Sequence, residues 1–199
     1  MTRRPAVFLD RDGTINVEVN YLHRVADFEL IEGAAEAIGH LNCAGLPVIV
    51  VTNQAGIARG LYDEGALERL HVHLQEELAR HAARVDAFYY CPHHPDFTGP
   101  CPCRKPAPGM LLEAARDHHL DLGRSWLVGD SAGDIRAGRA AGCRTILVRT
   151  GYGAALERQL AEDASAGQPD LIVDALPDAV AHILAPTSED ENAHPTGNL

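Results

Sequence analysis

Asp10 and Asp12 stand two residues apart at the end of the run Ala6-Val7-Phe8-Leu9, within VFLDRDGTIN. Two carboxylates at that spacing repel each other and lose hydration when buried, so a cation must sit between them. A hard divalent ion such as Mg²⁺ suits such oxygen ligands. The same residues can also make a plain Asp-Gly turn. Thr52-Asn53-Gln54 follows the apolar run Val48 to Val51, and a threonine hydroxyl with nearby backbone N–H groups can hold an anionic oxygen. Alone, it is a polar turn. Arg104-Lys105-Pro106 brings two cations to the start of a helix, where a phosphate could be neutralised; alone, it is a solvated pair. Gly129-Asp130-Ser131, with Asp134 one turn later, ends a further apolar run. Its bland reading is a helix N-cap with an acid near the dipole.

What unites these sets is where the elements would place them. Apolar runs at Ala6–Asp10, Pro47–Thr52, Ala87–Cys91, Trp126–Asp130, Thr145–Val148 and Leu171–Val173 read as buried strands. Helical patterns alternate with them. Ala34, Ala37, Ile38 and Leu41 share one face before Gly45, and Leu67, Leu70, Leu74 and Leu78 line a longer helix. Met110–Ala115 follows Pro108, and Ile135, Ala140 and Ala141 precede Gly142. Alternation of this kind builds βαβ units with right-handed crossovers. The expected fold is therefore a three-layer α/β/α, Rossmann-like parallel sheet. Asp10, Thr52 and Asp130 then end three strands on one rim, where open α/β folds bind ligands.

The 199 residues suit one such domain, and 46% hydrophobic content excludes general disorder. Residues 1–185 are read as that domain, and Pro186–Leu199, polar, acidic and proline-containing, as a disordered tail. A net charge of −11 would repel a phosphate backbone, so nucleic acid is not an expected partner. No run approaches a membrane span. Charge returns at Asp10 before a signal-peptide core could form, so the expected location is cytoplasmic. Five cysteines in such a setting argue against a disulfide framework. Cys43 and Cys143 read as buried, inert thiols at helix ends. His71, His73 and His81 are placed on the long helix, with no shared face for His71 and His73. The expected assembly is a monomer.

Asp10-x-Asp12-Gly13-Thr14, Thr52, Lys105 and Gly129-Asp130…Asp134, in that order, resemble the four motifs of the haloacid dehalogenase-like phosphatases over about residues 6–150. The resemblance implies that Asp10 attacks phosphorus and forms an aspartyl-phosphate. It implies that Asp12 protonates the leaving alkoxide and then activates water. Asp10, Asp12 and Asp130 would hold Mg²⁺, while Thr52 and Lys105 would steady the phosphoryl group. The chemistry needs two carboxyls tuned differently, one as nucleophile and one as acid. Lys105 and Mg²⁺ would balance the transferring charge.

Cys91-Pro92-His93 and Cys101-Pro102-Cys103 add three sulfurs and one imidazole across a short loop with Gly99 and Pro100. A Cys₃His set suits a closed tetrahedral Zn²⁺ site, which leaves no open position for catalysis. The alternative is a group of reduced surface thiols, and His94 competes with His93 as ligand. A structural Zn²⁺ would organise the loop 91–105 and position Arg104 and Lys105.

FLDRDGTIN, VVTNQAGIARG, YYCPHHP, CPCRKPAPGML and VGDS together resemble the heptose 1,7-bisphosphate 7-phosphatases. They are also similar to histidinol-phosphate phosphatases, which share the zinc loop. The resemblance implies a small phosphosugar substrate. It implies a pocket lined by Glu18, Val19, Asn20 and Tyr21, by Thr52, Asn53, Gln54 and Ala55, and by Arg104 and Lys105. Arg104 would read the distal part of the sugar. Ser131 departs from the pattern, where many members carry Lys. No large cap is inserted between the motifs, so the site should be open, closed by the zinc loop and the segment after the first strand. A binding module without catalysis would not need Asp10, Asp12, Lys105 and Asp130 together.

Overall fold

A computed structural model describes residues 3–162 and 167–186. The disordered tail expected from Pro186 onward lies, beyond its first residue, outside them. Six parallel strands form one sheet: β1 (Val7–Leu9), β2 (Val48–Asn53), β3 (Ala87–Cys91), β4 (Trp126–Gly129), β5 (Arg144–Val148) and β6 (Leu171–Val173), in the order β3-β2-β1-β4-β5-β6. The order reverses beside β1, so β1 and β4 meet at the switch point and their carboxyl ends open one crevice. All six strands fall where the apolar runs place them, with ends differing by a residue.

Strand residues alternate between two apolar layers, as the pleat requires. Val7, Leu9, Val48 and Val50 face α1 (Ala34–Cys43), α3 (Glu64–Ala79) and α8 (Leu176–Leu184), through Ile38, Leu41, Leu74, Leu78 and Val180. Phe8, Ile49, Val51 and Leu127 face α5 (Gly109–Asp117) and α6 (Ala132–Ala141), through Met110, Leu111, Ala114 and Ala137. The expected α/β/α layering is thus present. Burial on both faces is why these strands read as unbroken apolar runs. Two further short helices, α2 (Ala55–Ala58) and α4 (Pro95–Thr98), follow β2 and lie in the cysteine loop, and α7 (Gly153–Glu162) follows β5.

Two expectations need correction. Cys43 is exposed rather than buried, because it ends α1 on the side away from Ile38 and Leu41; Cys143 is buried as expected. His81 lies beyond α3, which stops at Ala79, and it pairs with Glu36 of α1 at 2.9 Å. Among the described residues, no helix is long and apolar enough to cross a membrane.

Candidate active site

β1 ends at Leu9, and the chain turns at once through Asp10 to Gly13. Gly13 has φ +79°, and a Cβ there would collide with the Asp130 carboxylate, so only glycine lets the two loops meet. Asp10 carries its carboxylate to the centre of the crevice. Its Oδ1 accepts the Arg11 backbone N–H at 2.8 Å and lies 2.8 Å from Lys105 Nζ. Oδ2 has no protein partner among the described residues. Burial and then the charge of Asp134 push the Asp10 carboxyl up to about 8, against the pull of Lys105. Asp130 is pushed up to about 7, again by burial first and Asp134 second. Its Oδ2 accepts the Tyr152 N–H at 2.8 Å.

Carboxylate oxygens of Asp10, Asp130 and Asp134 lie within 4.8 Å of one another. Three acids in a largely buried cluster face one ammonium, so the donor set fits a hard cation. The sequence pattern did not include Asp134 among the ligands. The structure ties it to Lys105, whose Nζ lies 2.5 Å from Asp134 Oδ1 and donates to the Val51 carbonyl at 2.7 Å. Lys105 is itself buried; burial lowers its pKa, but the charges of Asp10 and Asp134 outweigh that and hold it above the ordinary lysine value. Asp134 Oδ2 also accepts from Ser131 Oγ and N–H, closing a capping box at the start of α6. Ser131 is therefore the cap that fixes Asp134.

Asp12 does not join the carboxylate cluster. Its Oδ1 accepts from Arg11 Nε at 3.1 Å and Nη2 at 2.9 Å, and from Asn16 Nδ2 at 3.0 Å. Its Oδ2 accepts from Arg11 Nη2 at 2.8 Å and Gln54 Nε2 at 3.2 Å. The expectation that Asp12 ligates the ion is therefore not carried by its carboxylate. Arg11 is 1% exposed, and its Nη1 has no partner among the described residues. A chain neighbour acting as the buried counter-ion is invisible to spacing arguments.

Glu18, Val19, Asn20, Tyr21, Thr52, Asn53, Gln54, Ala55, Arg104 and Lys105 all line one pocket of about 310 Å³ with Asp10, Asp12 and Asp130. The residue set implied by resemblance thus converges in space. Burial, then the charges of Asp12 and Asp10, push Glu18 up to about 7. Leu22, Tyr62, His94, Ser131 and Tyr152 complete the lining and were not assigned from sequence. Arg104 Nη1 donates to the His93 carbonyl at 3.2 Å, joining the pocket cation to the cysteine loop. Arg59 spans the other side, with its guanidinium 4.9 Å from the Phe97 ring and 5.7 Å from that of Tyr21.

Cys91, His93, Cys101 and Cys103 bring their donor atoms within 4.8 Å of one another. The sulfurs lie 3.1 to 3.5 Å apart, and His93 Nδ1 is 3.4 Å from Cys103 and 3.7 Å from Cys91. A tetrahedral ion with bonds of about 2.3 Å to sulfur needs edges of roughly 3.8 Å, close to these. His94 Nδ1 instead accepts from the Asp96 backbone N–H, and His94 lies outside this donor set.

Residues 102–179 match the model of the HAD-hydrolase-like family. The chain is 46% identical over 165 residues to the D-glycero-beta-D-manno-heptose-1,7-bisphosphate 7-phosphatase of Escherichia coli strain K12, covering 80% of this chain and 86% of the relative. It is 48% identical over 189 residues to the D-glycero-D-manno-heptose-1,7-bisphosphate 7-phosphatase of Thermosynechococcus vestitus, covering 90% and 95%. The chain belongs to the heptose-1,7-bisphosphate 7-phosphatase family. As such it is a phosphoric monoester hydrolase of the haloacid dehalogenase-like fold. A crystal structure of D,D-heptose 1,7-bisphosphate phosphatase from B. bronchiseptica, complexed with magnesium and phosphate, superposes with a TM-score of 0.81 at 36% identity, over 90% of this chain and 98% of that one.

Proposed function

We propose that this chain removes the C7 phosphate of D-glycero-D-manno-heptose 1,7-bisphosphate, with Mg²⁺ at Asp10 and Asp130 and Zn²⁺ at Cys91, His93, Cys101 and Cys103. The observation that carries the reading is Arg104, a second cation in the same pocket as the Asp10–Lys105 pair. When bound, Mg²⁺ would offset the negative charge of the phosphoryl group as it approaches Asp10.

The chain's own groups divide the rest of the work. Lys105 and the Arg11 N–H occupy Asp10 Oδ1, which leaves Oδ2 as the oxygen that forms the bond to phosphorus. The P–O bond to the sugar breaks, and Asp12 in its protonated form delivers the proton to the leaving alkoxide. Asp12, now a carboxylate, takes a proton from the water that attacks the aspartyl-phosphate, releasing phosphate and regenerating Asp10. Thr52 and Lys105 steady the phosphoryl oxygens, and Arg104 holds the phosphate that stays on C1. Zn²⁺ would fix the loop from which Arg104 and Lys105 project.

Histidinol phosphate carries an amine and an imidazole in place of the second phosphate, and Arg104 disfavours it. The test compares kcat/KM for heptose 1,7-bisphosphate and histidinol phosphate with Mg²⁺ present. A charge-assisted phosphate contact is worth about 1.5–3 kcal/mol, so the bisphosphate should win by roughly ten- to a hundredfold or more. Equal or reversed preference would overturn the substrate assignment.

A further inference from the structure

Gln54 is implied by resemblance to be a substrate contact, yet both ends of its side-chain amide are already taken. Nε2 donates to Asp12 Oδ2 at 3.2 Å and to Thr52 Oγ1 at 2.8 Å, and Oε1 accepts from the Tyr62 hydroxyl at 2.6 Å. Gln54 is 2% exposed. An amide can turn over and exchange its oxygen for its nitrogen, which would present an acceptor to Asp12 instead of a donor. The Tyr62 hydroxyl opposes this, because it donates to the oxygen end. Burial pushes that phenol up to about 12, so it keeps its proton throughout the neutral range.

The ring is held as firmly as its hydroxyl. It lies against Gly56, the second residue of α2, where a Cβ would run into Tyr62 Cε1, so that position must carry no side chain. His23 stacks on the ring at 5.4 Å and 6°, and His23 Nδ1 lies 2.8 Å from the Tyr21 carbonyl. The segments after β1 and β2 are thereby locked to each other through one aromatic pair.

We infer that Tyr62 is a positioning residue for the phosphatase reaction: through Gln54 it fixes the Asp12 carboxyl for proton transfer to the leaving alkoxide. This rests on the proposed role of Asp12 and adds to it a second residue, which lines the pocket but directs its hydroxyl proton to Gln54. Arg11 and Asn16 hold the Oδ1 side of Asp12, whereas Gln54 supplies the Oδ2 side besides Arg11. Loosening the Gln54 amide should therefore misdirect the acid without removing it.

The experiment is a double-mutant cycle of Tyr62→Phe and Gln54→Met, read with two substrates, heptose 1,7-bisphosphate and 4-nitrophenyl phosphate. The first has a poor alkoxide leaving group that needs Asp12, and the second leaves as a stable phenolate that needs it little. Tyr62→Phe keeps the ring that packs on Gly56, so the fold survives. It should lower kcat on the bisphosphate by roughly three- to tenfold, leave KM within about twofold, and change turnover of the aryl phosphate by less than twofold. In the Gln54→Met background the same change should have no further effect, because its path is already cut. Equal losses on both substrates, a change confined to KM, or a full loss repeated in the Gln54→Met background would overturn the inference. Absence of phosphatase activity in the unaltered chain would instead overturn the proposed function, so the two failures are distinct.

Discussion

The side-chain amide of Asn53 grips the backbone of Lys105 at both ends. Nδ2 donates to the Lys105 carbonyl at 3.0 Å, and Oδ1 accepts the Lys105 N–H at 3.0 Å. The last residue of β2 thereby imitates a strand partner and sets the height at which the buried ammonium meets Asp10. Asn53 lines the pocket, yet each end of its amide is already engaged by the Lys105 backbone.

Asn53→Ala should therefore behave as a loss of positioning. Two backbone groups of a buried lysine lose their partners, at a cost of about 1–3 kcal/mol each where water cannot replace them. Expected are a lower melting temperature and a kcat reduced by roughly tenfold or more, with KM changed less. Steady-state kinetics on any accepted phosphomonoester, with thermal unfolding, checks this. A rise in KM with unchanged kcat would return Asn53 to the role of substrate contact.

Arg104→Ala separates the two ends of the substrate. It should lower kcat/KM for heptose 1,7-bisphosphate by roughly ten- to a hundredfold, the worth of a charge-assisted contact to phosphate. An aryl phosphate, lacking a second phosphate, should be affected less than threefold. Equal losses would place Arg104 at the reacting phosphoryl group, or in support of the loop through its bond to the His93 carbonyl.

The strands and the rim were legible because a doubly covered parallel strand must be apolar throughout, and Asp10, Thr52 and Asp130 each break such a run. The Cys₃His set was legible because its residues are close in the chain. Long-range partners were not. Tyr62 reaches Gln54 only because Gly56 leaves room for its ring, and Asn53 meets Lys105 from 52 residues away. Arg11 is the unassigned position of Asp10-x-Asp12, yet its buried guanidinium pairs with the Asp12 carboxyl, which stays outside the cluster. Cys43 and His81 misled because a helix end gives no period from which to read its exposed side.

Removing Zn²⁺ should act on the loop before it acts on the sheet. Cys101 and Cys103 pack only at the margin of the apolar layer around α5, whereas β1, β2 and β4 are buried without them. Chelation should raise amide hydrogen exchange across Cys91–Lys105 and abolish turnover, with the central strands still protected. Global unfolding on chelation, or no zinc by elemental analysis of protein purified without chelator, would contradict the site.

His71 gives the fold an acid-side weakness. It stacks on Phe88 at 4.3 Å, and its Nε2 has no partner among the described residues. Burial, and then the charge of Arg11, depress it from 6.5 to about 3. Below pH 6.5 the unfolded chain binds a proton that the folded chain refuses, so stability falls with falling pH, by up to about 1.4 kcal/mol per unit, until the folded pKa is reached. His71→Leu should flatten the stability profile between about pH 6.5 and 3 relative to the unaltered chain. Parallel profiles in denaturant titrations at several pH values would refute the assignment.

In the proposed reaction Asp10 is the residue that takes the phosphoryl group. Asp10→Asn keeps the side chain's shape and can still accept from Arg11, while removing the charge that faces Lys105 and the nucleophilic oxygen. Phosphate release from heptose 1,7-bisphosphate should fall by at least about 10⁴-fold, with circular dichroism and zinc content unchanged. Activity within tenfold of the unaltered chain, in protein equally folded and metallated, would contradict it.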